Sequence, residues 1–87
     1  MTLVNEIQQA LKSNKAVLGY KESIKILKRR DSKKIILAKN APENLRKLFE
    51  HNAKIFNIPI EIFDGSSKDL GVVCGKPFPV LVLVLRS

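Results

Sequence analysis

A chain of 87 residues makes one domain with no room for a second, and 45% apolar side chains suffice for a modest core. A net charge of +8 excludes nothing about the fold, but it favours polyanionic partners: nucleic acid or an anionic surface. The composition is not that of a disordered chain. The single cysteine, Cys74, rules out an internal disulfide and a cysteine zinc site.

The first helix is predicted from Leu3, Ile7, Ala10 and Leu11, which fall on one face, with Thr2 as its cap and Ser13-Asn14 as its end. Because Met1 to Asn14 is amphipathic, it does not read as a signal peptide, and a soluble, cytoplasmic protein is expected. Ala16-Val17-Leu18 forms a brief strand stopped by Gly19. Tyr20 to Arg30 forms a second helix, with Ile24 and Leu27 turned to a core and Lys21, Lys25 and Lys28 as a basic ridge. Asp31-Ser32 breaks it. Lys34 to Lys39 encloses Ile35-Ile36-Leu37-Ala38, a continuous apolar run expected of a strand covered on both faces.

Asn40-Ala41-Pro42-Glu43 carries helix-start signals, and the third helix is expected to bury Leu45, Leu48, Phe49, Ile55 and Phe56. Ile58 to Phe63 reads as a strand, turned by Asp64-Gly65. Ser66-Ser67-Lys68-Asp69 resembles a capping box opening a short fourth helix that stops at Gly75. Val80 to Leu85 is a final buried strand, far too short to span a bilayer. Strict alternation of helix and strand predicts an α/β fold with helices packed on both faces of one four-stranded sheet, spanning 1–87 as a single domain.

The charge is localised. Lys12 to Lys39 holds ten basic residues against Glu22 and Asp31, so this stretch carries the whole +8 and the rest of the chain is neutral. Nothing catalytic stands out: His51 has no nucleophile near it in sequence, Cys74 sits among apolar neighbours, and the carboxylates are scattered. No metal-ligand cluster and no cofactor motif is visible, so no cofactor is expected. Gly65-Ser66-Ser67 fits either a phosphate-binding helix start or a plain cap, and the cap is preferred.

Three segments suit nucleic acid. In Leu18-Gly19-Tyr20-Lys21, glycine permits a sharp strand-to-helix turn, and the helix start presents amides and Lys21 to phosphate or to a guanine edge; a solvated glycine turn fits equally. Asn40 either caps the third helix, the stronger reading in isolation, or holds a base edge. Gly19 and Asn40 both follow strands, so one sheet edge can hold both. In Gly75-Lys76-Pro77-Phe78-Pro79-Val80, Phe78 on a stiff loop suits stacking on an unpaired base or folds back on the core.

These segments, with the strand Lys34-Ile35-Ile36-Leu37-Ala38 and with Asp69-Leu70-Gly71, resemble the L-thirty-e family of large-subunit ribosomal proteins, part of the L-seven-Ae superfamily. The resemblance spans essentially the whole chain. It implies a three-layer α/β/α sandwich with a four-stranded mixed sheet, and a non-enzymatic structural constituent of the large ribosomal subunit that binds rRNA at a kink-turn, beside neighbouring ribosomal proteins, and that is a monomer when free. Carried over, Gly19, Tyr20, Lys21 and Asn40 would recognise the paired region of the RNA. Leu18, Phe78 and Val80 would form an apolar wall, and Lys33 and Lys76 would meet phosphate. Tyr20-Lys21 replaces the Asn-Glu pair frequent in members of RNA-modification particles, which favours the ribosomal branch. Glu22 stands where that branch often has a basic or small polar residue, and is expected to point away from RNA or pair with Lys21 or Lys25. Many relatives also carry a segment beyond the last strand, which implies an edge missing here or supplied by the ribosome. The rival readings are a kink-turn binder of a modification particle or a regulator of its own message, a basic protein-interaction module, and a nucleotide enzyme at Gly65-Ser66.

Overall fold

The computed structural model describes residues 3–86. Its elements follow the predicted order: α1 (Leu3–Lys12), β1 (Ala16–Leu18), α2 (Tyr20–Lys28), β2 (Ser32–Ala38), α3 (Glu43–Phe56), β3 (Ile60–Phe63), α4 (Ser67–Val73) and β4 (Val82–Arg86). The expected cap Thr2 lies outside the described residues. The strands form one sheet in the order β1-β4-β2-β3. β4 runs antiparallel to both of its neighbours, and β2 runs parallel to β3. Hence β1, β2 and β3 all end on one edge of the sheet, where β4 begins. We call this the carboxyl edge.

Successive side chains of a strand point to opposite faces, which explains why β2 and β4 are apolar without a break. Ile36, Ala38, Leu83 and Leu85 pack with Ile7 and Leu70 from α1 and α4. Ile35, Leu37, Val82 and Val84 pack with Leu27, Phe49 and Ala53 from α2 and α3. Two cores share one sheet, which makes a three-layer α/β/α sandwich with helices on both faces, as expected. Among the described residues no helix is long and apolar enough to cross a membrane.

Details depart from the sequence expectation where packing decides. Leu48 and Ile55, expected to be buried, are 41% and 60% exposed. Seven residues apart, they share a stripe of α3 beside the one formed by Leu45, Phe49, Ala53 and Phe56, and only that second stripe meets the sheet. In α2, Ile26 joins Leu27 in the core, while Ile24 is only partly buried. β3 starts at Ile60 because Pro59 has no N–H to give, although its carbonyl still accepts from Ile35 at 2.9 Å. β4 starts at Val82 rather than Val80, because the Val80 N–H donates to the Ser67 carbonyl at 2.9 Å instead of joining the ladder.

Candidate nucleic-acid interface

β1 passes into α2 through Gly19, whose φ of 88° and ψ of 152° belong to a region essentially reserved for glycine. Its N–H donates to the Val82 carbonyl at 3.2 Å, which fixes the turn against the start of β4. Glycine offers no side-chain cap, so the first turn of α2 presents its amides and the positive end of its dipole outward. A Cβ at Gly19 would meet nothing within 4 Å, so the backbone angle demands glycine, and the space above it is open. Ser23, one turn on, is fully buried and small enough to let the helix approach the sheet.

Asn40 does not cap α3, contrary to the stronger reading of its sequence context. Pro42 holds the cap position, with a φ of −57° already suited to the helix, and makes no side-chain cap. Asn40 reaches across to α4: its Oδ1 accepts from the Ser67 N–H at 2.7 Å and its Nδ2 donates to the Ser67 hydroxyl at 3.3 Å. The Lys39 N–H donates to the Gly65 carbonyl at 2.9 Å, so the loops after β2 and β3 are tied together.

Ser66 and Asp69 form the capping box that the sequence suggests, each side chain accepting from the other residue's N–H. Side chains occupy the amides of Ser66, Ser67 and Asp69 in this turn. The geometry of Gly65-Ser66-Ser67 is therefore that of a plain cap, with most of the amides a phosphate cradle needs already taken.

The loop before β4 is held by a contact that sequence reading did not identify. A Cβ on Gly71 would collide with the Phe78 carbonyl, so only glycine lets α4 lie this close to the loop. Gly75, with a φ of 69°, reverses the chain after α4. Phe78 is left 51% exposed, while Val80 is buried at 3%.

These constraints bring Leu18, Gly19, Tyr20, Phe78 and Val80 around one largely apolar groove of about 420 Å³. Leu45, Ser67, Pro79, Leu81 and Val82 complete its lining, and sequence reasoning missed them. Asn40 joins through Ser67. Lys21 is exposed on the first turn of α2, and Lys76 shares a depression with Pro77 and Phe78. Lys33 is not brought here. It lies at the opposite edge of the sheet, in a depression shared with Lys15 and Arg86. The missed residues left little trace in the sequence, except that Gly71, a glycine inside a short helix, is itself a sign of close approach.

The remaining titratable candidates fall into ordinary roles. Glu22 pairs with Lys25 at 3.6 Å on the exposed side of α2. His51 is exposed on α3. Cys74 is buried, and burial pushes its thiol up despite the nearby Lys76, which suppresses the reactive thiolate.

A mixed sheet between two helical layers, with an apolar groove and a glycine-led helix start at one edge, defines a class of small basic α/β/α proteins. Two solved structures share the fold. A Giardia lamblia 15.5kD RNA binding protein superimposes with a TM-score of 0.88 at 21% identity, covering 98% of this chain and 71% of that one. A protein with unknown function from Bacillus halodurans gives 0.88 at 18% identity, covering 97% and 83%. The chain belongs to the Ribosomal protein L7Ae/L30e/S12e/Gadd45 family, whose model matches residues 1–87. Large ribosomal subunit protein eL30 of Methanocaldococcus jannaschii is 39% identical over 98% of this chain and 77% of its own length. The protein of that name from Methanosphaera stadtmanae is 35% identical over 100% and 89%, and the one from Zea mays 37% identical over 91% and 70%.

Proposed function

We propose that this protein is a structural, non-catalytic constituent of the large ribosomal subunit that clamps rRNA at a kink-turn, in the cytoplasm and as a monomer when free. The observation that carries this reading is the convergence at the carboxyl edge. A helix start with an uncapped first turn, an apolar groove and a half-exposed aromatic lie side by side there. A kinked RNA helix offers complementary features: a crowded phosphate backbone, base edges opened at the kink and an unstacked base. The first turn of α2 and Lys21 meet the backbone and base edges, and Gly19 and Tyr20 allow their close approach. Asn40 holds its place beside them, Leu18 and Val80 wall the groove, Phe78 stacks on the free base, and Lys76 meets phosphate. Lys33 stands apart from this site.

The test is binding to a kink-turn RNA and to a straight duplex of equal length across a salt series. A preference of at least tenfold for the kinked RNA, about 1.4 kcal/mol, that persists in higher salt is expected. Equal affinities that fade alike with salt would leave only a basic protein on a polyanion and remove the site assignment. Lys21→Ala is expected to lose the discrimination between the two RNAs.

A further inference from the structure

The carboxyl edge holds little of the charge. Of the ten basic residues from Lys12 to Lys39, only Lys21 and Lys39 lie there, and Lys39 stands 3.7 Å from Asp64. At the opposite edge α1 and α2 end and β1 and β2 begin. Lys12, Lys15, Lys28, Arg29, Arg30 and Lys33 are all exposed in this region. None of these six forms an ion pair among the described residues.

Arg86 draws them together. Its N–H donates to the Lys15 carbonyl at 2.6 Å, and its guanidinium clamps Asp31 at 2.9 and 3.1 Å. Lys15 and Lys33 then stand two strand spacings apart across β4, about 10 Å, and line the same depression.

Complementing helix carboxyl ends accounts for Lys12 and Lys28, but not for Arg30 or Lys33. Arg30 adopts a left-handed φ of 58°, where α1 and α3 use Asn14 and Asn57. Glycine or asparagine suits that position far better than arginine. Lys33 is the extra residue of a β-bulge: Ser32 lies opposite Arg86 and Lys34 opposite Leu85, leaving Lys33 unmatched. Bulges re-aim side chains. Twice at this edge the backbone departs from regular geometry, and each time it presents a cation.

The two edges lie at opposite ends of β2, whose 7 residues span about 20 Å. That exceeds the screening length of about 8 Å at physiological salt, so the two surfaces act independently. The exposed aromatics Tyr20 and Phe78 are both at the carboxyl edge. The opposite edge offers charge without a stacking platform, which suits phosphate contact and not base reading.

We propose that the Lys15–Arg30–Lys33 edge is a second RNA site, which grips the phosphates of another RNA segment without regard to sequence. The protein then bridges two RNA segments held at opposite ends of its sheet. This rests on the reading of the carboxyl edge as the kink-turn site.

The test saturates the protein with a minimal kink-turn RNA and titrates in a labelled straight RNA duplex over a salt series. Wild type is expected to form the ternary complex. The combined variant Lys15→Gln, Arg30→Gly, Lys33→Gln should bind the kink-turn RNA unchanged but the duplex at least tenfold more weakly. Its salt slope should be shallower by roughly 0.7–0.9 for each phosphate that is no longer neutralised. Arg30→Gly alone should raise the melting temperature while weakening duplex binding, which separates charge from folding. Failure of the saturated wild type to take up duplex at low salt would overturn the proposal. So would a combined variant that takes it up as well as wild type, or polyglutamate of equal charge concentration binding as tightly as duplex. If wild type shows no preference for kinked RNA, the reading of the carboxyl edge falls, and duplex titration of the free combined variant still decides the second site.

Discussion

Phe78 is half exposed on a loop whose position is set by backbone contacts with α4, and in the proposed function its ring stacks on an unpaired base. Phe78→Ala is expected to weaken kink-turn binding by about 1–3 kcal/mol, the scale of a base-aromatic stack, with little change in melting temperature. Wild-type affinity in that titration would take the ring out of the interface. Gly19 works through the backbone. Any side chain there is forced into an angle that costs about 1–3 kcal/mol. Gly19→Ala should therefore lose that much stability in a denaturant titration, even though its Cβ meets no neighbour.

Between elements, Asn40 and Lys34 are two of the polar ties. Asn40 links the loop after β2 to the start of α4 through two hydrogen bonds to Ser67. Asn40→Ala should cost about 1–2 kcal/mol. Asn40→Asp keeps an acceptor for the Ser67 N–H and gains one for its hydroxyl, so it should melt near wild type. It also sets a negative charge on the edge proposed to bind RNA, so its RNA affinity should fall at least tenfold. An Asp variant that binds RNA normally would leave Asn40 a structural tie alone. Lys34 joins three elements, holding Glu6 of α1 at 2.8 Å and Glu61 of β3 at 3.1 Å from its place in β2. Hydrogen bonds to Glu6, then to Glu61, hold its ammonium above the ordinary 10.5. A raised folded value means that the stabilisation is fully present below 10.5 and is lost as pH rises through the folded value. Melting temperatures at pH 9 and 11 should therefore diverge more for wild type than for Lys34→Met.

At the scale of the whole molecule, the six cations of one sheet edge that form no ion pair among the described residues repel one another. Added salt screens that repulsion within about 8–10 Å. The melting temperature should therefore rise from low to moderate salt, in a single transition seen alike by far-UV dichroism and calorimetry if residues 1–87 fold as one domain. A melting temperature indifferent to salt would mean that the edge is compensated in solution.

The order of elements, the two-sided burial of β2 and β4 and the capping box were legible in the sequence, because each depends on local periodicity or on residues three apart. The turn at Gly19 was legible too, since glycine constrains its own neighbourhood, while the exposure of Phe78 was one of two open readings that packing decided. Which stripe of α3 meets the sheet was not, because Leu48 and Leu45 are equally apolar and only packing separates them. Asn40 read as a cap because sequence shows the helix that follows it but not Ser67, which comes near only when β2 and β3 pair. Charge shows the same division most clearly. The sequence alone determined that the basic residues cluster between Lys12 and Lys39. Only the tertiary structure decided that most of them stand away from the groove, because strands turn neighbours in sequence toward opposite ends of one sheet.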